Sequence, residues 1–366
     1  MAALPELPAL PELVAAAHAA ADEWRRAGRP VVGCVGADVP VELLTAGGFL
    51  PVRLAGSPGA DRTAGDTYLG RGLDPVARSV LSRLLAGDYG TLDGVVVSRD
   101  CEASLRLFYA LRELRRLEPG LGLPPVHLAD VLHLPHRTTT RYVLAKVREL
   151  RATVQRWSGT TITDDDLAAA ITEHDRLRAG LAALTALRRA RPARLTGTRA
   201  LEVVAATTAV PVPAAIALLS GVLAAETEEV GGVRTFLTGS SHDCPDVYAA
   251  LEGAGLLVVG DDHDWGDLRG GPPVGEPTEL ALAERYQHAG PAGPRSAIRR
   301  RAAHTAAAAT ACGAELLVSY VREHDDGPPW DFPAQREATG LPAVLIDRQP
   351  YGRADLARLP VPVEVR

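Results

Sequence analysis

The stretch over residues 31–56, VVGCVGADVPVELLTAGGFLPVRLAG, contains the pattern of a complete strand–helix–strand unit. An apolar run, VVGCV, is followed by a break, a segment with apolar residues at helical spacing, and a second short apolar run, LPVRLA. A strand, a helix and a second strand in this order are typical of a unit with two parallel strands. This alternation continues along the chain, which predicts an α/β fold.

Eight short apolar segments are predicted to be strands: 31–37, 50–55, 94–98, 126–128, 235–239, 256–260, 316–321 and 343–347. They form two groups of four, with a long helical stretch between them. We therefore predict two doubly wound parallel-sheet domains of the Rossmann or flavodoxin type. The predicted parts are an N-terminal α/β domain with a leading helix (1–136), a helical connector (137–195) and a C-terminal α/β domain (196–366). Thr163 is predicted to cap the second connector helix, because three aspartates follow it.

The composition excludes several classes of protein. The 366 residues carry a net charge of −6 and no basic run, so we expect no nucleic-acid partner. The apolar runs are too short to cross a bilayer, and the N-terminus lacks the pattern of a secretory signal, so we expect no membrane partner and a cytoplasmic location. The four cysteines are widely separated without a CxxC pair, and we expect no disulfides.

Chemically active side chains follow the predicted strands. In open parallel sheets, ligands bind at the carboxyl ends of the strands. The segments there read CVGADVP, SRDCEAS, GSSHDCPD, DDHDWGDLRGG, REHDDGPPWDF and DRQPY. The sequence thus places cysteines, histidines and carboxylates where the predicted fold would form a site. The carboxylate-rich runs 261–264 and 323–326 are expected to be solvated loops, as charged runs usually are.

Four longer segments carry a family resemblance. VVGCVGADVPVELLTAGGFLPVRLAG, LDPVARSVLSRLLAGDYGTLDGVVVSRDCEASLRLFYALREL, TFLTGSSHDCPDVYAALEGAGLLVVGDD and LPAVLIDRQPY occur in this order. Together they resemble the 2-hydroxyacyl-CoA dehydratase family, which includes dehydratase and benzoyl-CoA reductase-type subunits. The resemblance covers nearly the whole chain after residue 29.

The resemblance implies a specific assembly and reaction. It implies two facing doubly wound domains with a [4Fe–4S] cluster held between them by three cysteines. It also implies pairing with a homologous subunit and an ATP-dependent activator that delivers an electron. The implied reaction is the dehydration of a 2-hydroxyacyl-CoA thioester through a ketyl radical.

The sequence departs from the family at two of the three implied cluster ligands. In the DPVAR motif, Asp74 stands where the family has a cysteine, whereas Cys101 matches a cysteine position. The third position falls in the turn after the predicted strand 316–321, where the chain has Glu323, His324 and Asp325.

The altered ligand set leaves three alternatives for a cofactor. Iron–sulfur clusters prefer thiolates, so we expect this chain to lack an ordinary three-cysteine [4Fe–4S] cluster. Asp74, Cys101 and His324 could instead bind a single Zn²⁺ or Fe²⁺ ion, or the chain has no cofactor. Cys34 is a further candidate only if its loop reaches the interface between the domains. Its position at the end of a buried strand is explained more simply by packing.

Four residues are candidates for substrate binding. Ser240, Ser241 and His242 follow a predicted strand, where backbone N–H groups could bind the phosphates of an acyl-CoA. The alternative is an ordinary loop that caps the next helix. Arg53 is predicted either to reach the ligand or to pair with a carboxylate.

Three functions remain open at this stage. The first is a divergent subunit of a 2-hydroxyacyl-CoA dehydratase-like enzyme, paired with a homologous chain that carries the complete cluster. The second is an enzyme in which Asp74, Cys101 and His324 bind one metal ion for non-radical chemistry. The third is a non-catalytic partner subunit. The partner could be a different chain or a second copy of this one.

Overall fold

The computed structural model describes residues 10–225, 229–290 and 295–359. All eight predicted strands are present, with ends shifted by no more than two residues. They are β1 (Val31–Val35), β2 (Leu50–Arg53), β3 (Gly94–Ser98), β4 (Val126–Ala129), β5 (Val233–Gly239), β6 (Leu256–Asp261), β7 (Leu316–Arg322) and β8 (Ala343–Gln349).

Thirteen α-helices lie within the described residues. They are α1 (Leu10–Arg26), α2 (Val41–Ala46), α3 (Thr63–Leu69), α4 (Pro75–Ala86), α5 (Glu102–Leu117), α6 (Arg137–Ser158), α7 (Asp164–Arg189), α8 (Gly197–Thr207), α9 (Val212–Ala224), α10 (Asp246–Gly253), α11 (Glu279–Gln287), α12 (Ile298–Cys312) and α13 (Pro328–Thr339). The predicted cap of α7 is confirmed, because Thr163 Oγ1 accepts from the backbone N–H of Asp166 at 3.1 Å. None of the described helices is both long and apolar enough to cross a bilayer.

The strands form two separate four-stranded sheets, and every pairing is parallel. The strand order is β2-β1-β3-β4 in the first sheet and β6-β5-β7-β8 in the second. In both sheets the order reverses beside the first strand, which is where doubly wound folds bind their ligands. The predicted α/β fold with two doubly wound sheets is therefore confirmed. We call the sheet β1–β4 with its covering helices the first lobe, and the sheet β5–β8 with its covering helices the second lobe.

Alternate residues of the first sheet pack against different helices. Val31, Val95 and Val97 face the side covered by α4 and α5, whereas Val32 and Val96 face the side covered by α2 and α6. This alternation follows from the two-residue repeat of a strand, and apolar residues on both faces are typical of a parallel sheet.

Cys34 belongs to this core. Its side chain is 3% exposed and packs on the α2 and α6 side of β1. Burial raises the pKa of the thiol to about 12, so the side chain stays protonated. The structure therefore agrees with the packing explanation for a cysteine at this strand.

The connector helices hold the two lobes together. Helix α6 packs on the first sheet, whereas Arg188 near the end of α7 donates to Asp261 of β6 at 2.9 Å. Helices α8 and α9 follow the predicted boundary at residue 195, yet they pack into the same core as α1 and the first sheet. We retain the boundaries at 136 and 195 as predictions.

Candidate functional site

A cavity of about 480 Å³ lies between the lobes, at the carboxyl ends of both sheets. We call it the interlobe cavity. Its polar lining comes from the turns before α4 and after β3, β5, β6 and β7, and includes Asp74, Asp100, Cys101, Glu102, Ser241, Asp262, His263, Asp264, Arg322, His324 and Asp325. Asp74, Cys101 and His324, which are distant in sequence, thus share one cavity.

Asp74 has two structural roles at this cavity. Its Oδ1 atom accepts from the backbone N–H of Val76 at 2.8 Å and caps helix α4. Its Oδ2 atom accepts from Nη2 of Arg322 at 2.8 Å, which joins the first lobe to the second. The Arg322 guanidinium is buried and also donates to the backbone carbonyl of Ser241. Because both carboxylate oxygens are already bonded, Asp74 has little capacity left for a metal.

Cys101 is the N-cap residue of helix α5, at the wall of the interlobe cavity. Its Sγ atom accepts from the backbone N–H of Ser104 at 3.4 Å and lies 3.2 Å from the Ser104 hydroxyl. The side chain is exposed to the cavity. Desolvation by the surrounding protein, together with the nearby Asp100 carboxylate, raises the pKa of the thiol to about 12. Cys101 is therefore a protonated thiol at neutral pH and a poor nucleophile.

His324 lies in the turn after β7, with a positive φ of 66°. Its side chain is exposed to the cavity. Within the residues that the structure describes, no group of three histidine, cysteine or acidic side chains is arranged to hold a metal ion. The metal and cofactor roles of Asp74, Cys101 and His324 stay predictions.

The cysteines do not fit a three-cysteine iron–sulfur cluster. All four lie within the described residues, and Cys101 alone lines the interlobe cavity. Cys34 and Cys312 are buried in the two cores, and Cys244 lies half-buried in the loop before α10. A [4Fe–4S] cluster is held by thiolates, so the set at this cavity is too small to bind one.

The expectation that residues 261–264 form a solvated loop is wrong. Asp261, Asp262 and His263 are buried, with exposures of 1%, 9% and 4%. His263 Nε2 lies 2.7 Å from the Tyr248 hydroxyl, which in turn donates to Asp261 at 3.0 Å. Burial alone would raise the pKa of Asp261, but His263 and Arg188 lower it to about 2. These contacts compensate the buried charge and fix one wall of the cavity.

Three carboxyl groups in the cavity have raised pKa values. Burial raises the pKa of Asp100, Asp262 and Asp325, and the carboxylate of Asp38 raises that of Asp100 further. Asp100 Oδ2 accepts from the backbone N–H of Ala37 at 2.8 Å, whereas its buried Oδ1 has no hydrogen-bond partner among the described residues. A carboxyl group with a raised pKa can serve as a proton donor. The sequence reasoning missed Asp100, although it directly precedes Cys101.

The predicted phosphate-binding loop is already engaged in contacts within the protein. The Ser240 hydroxyl donates to Asp325 at 2.5 Å, and the Ser241 hydroxyl donates to Asp264. His242 is 3% exposed, and burial lowers its pKa well below the usual value. Among these three predicted residues, Ser241 alone lines the interlobe cavity. Their role in substrate binding stays a prediction.

Arg53 pairs with a carboxylate, which was one of its two predicted alternatives. Its guanidinium forms an ion pair with Asp264 and donates to the backbone carbonyl of the same residue at 2.7 Å. The guanidinium carbon also lies 4.0 Å from the centre of the Trp265 ring. Arg53 thus forms a second ionic link between the lobes, and it does not line the interlobe cavity.

Two facing doubly wound lobes with a polar cavity between them define a class of two-lobed α/β proteins with an interlobe site. The chain belongs to the family described as 2-hydroxyglutaryl-CoA dehydratase, D-component, whose family model matches residues 37–347. The resemblance seen in the sequence is therefore confirmed.

Two relatives match at low identity over much of the chain. The (R)-phenyllactyl-CoA dehydratase beta subunit of Clostridium sporogenes is 22% identical over 329 residues, which are 87% of this chain and 86% of that protein. A benzoyl-CoA reductase subunit of Thauera aromatica is 25% identical over 258 residues, which are 67% of this chain and 64% of that protein.

Proposed function

We propose that this chain is a subunit of a 2-hydroxyacyl-CoA dehydratase-type enzyme that binds the acyl thioester in its interlobe cavity and holds no iron–sulfur cluster itself. The observation that carries the proposal is a cavity of about 480 Å³ at the facing strand ends that contains a single cysteine. The volume lies in the usual range for a small-molecule site. Membership of the dehydratase family supports an acyl thioester as the ligand.

A homologous partner chain completes the proposed enzyme. Both relatives are named as subunits, which supports a multi-subunit assembly here. In this proposal the partner holds the cluster with three cysteines and receives an electron from an ATP-dependent activator. Dehydration through a ketyl radical then depends on both chains. Trp330 supports a protein contact near the cavity, because its side chain is 76% exposed at the start of α13, beside Pro328 of the cavity wall.

Asp100 is the proposed proton donor of this chain. Loss of the 2-hydroxyl group as water requires one proton on the departing oxygen. Asp100 lines the cavity and has a raised pKa, and its buried Oδ1 atom forms no hydrogen bond within the described structure that would hold the proton back. Asp325 is placed similarly, but the Ser240 hydroxyl already donates to it.

The structure offers less support for the two alternatives. A single metal ion at Asp74, Cys101 and His324 would have to displace Arg322 from Asp74 and deprotonate a thiol whose pKa is raised. A non-catalytic partner subunit would not need a cavity of this size lined by carboxyl groups with raised pKa values. Metal analysis and ligand binding separate these two alternatives from the proposal.

Iron and sulfide analysis of the separated subunits tests the proposal. The chain is purified anaerobically together with its homologous partner, and the two chains are then separated. We expect iron and acid-labile sulfide in the partner and no cluster iron in this chain. Cys101→Ala should therefore leave the iron content of this chain unchanged. About four irons and four sulfides in this chain, lost in Cys101→Ala, would contradict the proposal. One metal equivalent without sulfide would support the mononuclear alternative.

A further inference from the structure

A second cavity, of about 300 Å³, lies beside the interlobe cavity. It is enclosed by α7, α11, α12 with the segment before it, the loop after β6 and the first residues after β1. Five arginines line it, and we call it the arginine cavity: Arg178, Arg189, Arg269, Arg285 and Arg295. No local sequence motif shows that these arginines meet, because they come from four separate segments of the chain.

Among the described residues, every carboxylate that lines the arginine cavity already has an arginine partner. Asp38 pairs with Arg295, Asp261 with Arg188, Asp264 with Arg53, and Asp267 with Arg188 and Arg189. Arg178, a further lining residue, pairs with Glu42 and Asp175, which lie behind it.

Arg269 and Arg285 are left without an anionic partner. Across the described parts of the chain, neither guanidinium forms an ion pair or a hydrogen bond, and Arg285 makes only a ring contact, 4.9 Å from the centre of Tyr286. The Nε atom of Arg285 is buried and unbonded within the same residues. Burial and the charge of Arg53 lower the pKa of Arg269 to about 10, and burial and Arg178 lower that of Arg285. Both groups stay protonated at neutral pH, so two positive charges in the cavity have no direct carboxylate partner. Because Arg178 faces both Glu42 and Asp175, the surplus over the whole cluster of ion pairs is one positive charge.

Uncompensated charges that are largely removed from water destabilise a protein unless an anion accompanies them. Planar guanidinium groups bind the oxygens of phosphates in a bidentate manner, and two of them without a carboxylate partner offer enough donors for a phosphate or a diphosphate. The volume exceeds that of one phosphate ion, and part of the wall is apolar. The apolar residues include Val41, Leu177, Leu181, Leu268, Pro272 and Ala308. A ligand with a phosphorylated end and an apolar or aromatic part therefore fits best.

The arginine cavity and the interlobe cavity share two lining residues, Asp264 and Arg295. The two cavities are therefore adjacent, and the inference requires a long ligand to reach from one into the other, with its reactive end in the interlobe cavity. We propose that the arginine cavity binds the phosphoryl groups of the coenzyme A part of the thioester, through Arg269 and Arg285. This assignment rests on the proposed function, and it differs from the serine loop that the sequence suggested for the same groups.

Calorimetric titration of three probes tests this inference. The probes are coenzyme A without an acyl group, adenosine 3′,5′-bisphosphate and inorganic pyrophosphate. We expect all three to bind the full chain, and each to lose about tenfold or more in affinity in both Arg269→Met and Arg285→Met. The matched control is Arg115→Met, which removes an exposed arginine of α5 outside both cavities. The inference would be overturned if the probes do not bind, or if both variants bind them as strongly as the unaltered protein does.

The stability of the ligand-free variants gives an independent readout. Methionine keeps the apolar stem of arginine and removes a charge that has no direct carboxylate partner, so we expect the Tm of Arg269→Met and Arg285→Met to rise by about 2 °C or more. Pyrophosphate should raise the Tm of the unaltered protein and leave that of the variants unchanged. A lower Tm in both variants would contradict the inference, because it would mean that the two charges are compensated within the protein.

The two proposals can fail separately. Anion probes that bind through Arg269 and Arg285, with no binding of a 2-hydroxyacyl-CoA, would leave the phosphoryl site standing and overturn the proposed function. If a 2-hydroxyacyl-CoA binds with equal affinity to the unaltered protein and to both variants, the proposed function stands and the phosphoryl site is overturned. Inorganic pyrophosphate that binds while both coenzyme A and the bisphosphate fail would identify a free anion as the ligand and overturn the assignment to coenzyme A.

Discussion

The Asp74 carboxylate of the first lobe accepts a hydrogen bond from the Arg322 guanidinium of the second lobe at 2.8 Å. At this position the family resemblance implies a cysteine that would hold a cluster. In this chain the residue at this position, Asp74, instead forms an ion pair with Arg322 across the interlobe cavity. A contact between the lobes thus stands where the resemblance implies a cofactor.

Asp74→Asn should destabilise the protein by about 2 kcal/mol. Asparagine keeps the cap of α4 but removes the charge that compensates the buried Arg322 guanidinium. Urea denaturation measures the change in the free energy of unfolding. The control is Asp164→Asn, whose carboxylate is 91% exposed in its pair with Arg151, and which should change stability by less than about 0.5 kcal/mol. Equal effects of the two substitutions would show that the interlobe ion pair adds no stability.

Gly239→Ala should destabilise the protein by about 2 kcal/mol or more. Gly239 ends β5 with a φ of +108°, and a Cβ atom there would lie 2.0 Å from the backbone oxygen of Tyr320. Thermal unfolding of the purified variant measures the effect. Gly253→Ala is the matched control, because a Cβ atom on this residue of α10 meets nothing within 4 Å. That variant should be as stable as the unaltered protein, or more stable by up to about 1 kcal/mol. A stable Gly239→Ala protein would contradict the tight turn at this edge of the cavity.

The Glu42–Arg178 ion pair should make stability depend on acid pH. Burial alone would raise the pKa of Glu42, but Arg178 and His174 lower it from 4.5 to about 2. The unfolded chain therefore binds the proton more tightly, and the contribution of Glu42 is complete above pH 4.5 and is lost as the pH falls towards 2. Relative to Glu42→Gln, the unaltered protein should be more stable by about 3 kcal/mol at pH 6.

The difference between the unaltered protein and Glu42→Gln should shrink steadily below pH 4.5. Urea denaturation of both proteins at several values between pH 3 and pH 6 gives this profile. A difference that stays constant over that range would contradict the lowered pKa of Glu42.

Cys101 should react slowly with iodoacetamide at pH 7.5. The thiolate is the reactive form, and the raised pKa keeps nearly all of this thiol protonated even though it is exposed to the cavity. Mass spectrometry should show alkylation at least about tenfold slower in the folded protein than in the protein unfolded in urea. The Cys101→Ser variant identifies the modified site. A folded-state rate equal to that of the unfolded chain would mean that the thiol has an ordinary pKa.

The sequence predicted the placement of Asp74, Cys101 and His324 better than their surroundings. Parallel strands bring their carboxyl ends to one edge, so Cys101 and His324, which follow different strands, could be placed together without knowing any contact. Asp74 precedes helix α4, and its placement at the site came from the family resemblance. The burial of Asp261 and His263 could not be inferred in this way, because it depends on Arg188 from helix α7 and on the Tyr248 hydroxyl. A charged run reads as solvated unless its partners, which are distant in sequence, are known.

The same reason explains why Arg269 and Arg285 escaped the sequence reasoning. Nothing in their local sequence shows that neighbouring carboxylates are all used by other arginines. That property arises only from the complete set of ion pairs around the cavity. Surplus charge in a cavity is a property of the fold rather than of a motif.

Calorimetric titration of a 2-hydroxyacyl-CoA into the unaltered chain and into Ala103→Trp tests most directly whether the interlobe cavity binds the acyl thioester. Ala103 lines the interlobe cavity in the first turn of α5, so the indole would fill the space proposed for the acyl group. Arg115→Trp, at an exposed position of the same helix outside the cavity, is the control. We expect binding to the unaltered chain and to the control, and an affinity lower by about tenfold or more in Ala103→Trp. Equal affinity in all three proteins, or no binding to any of them, would contradict it.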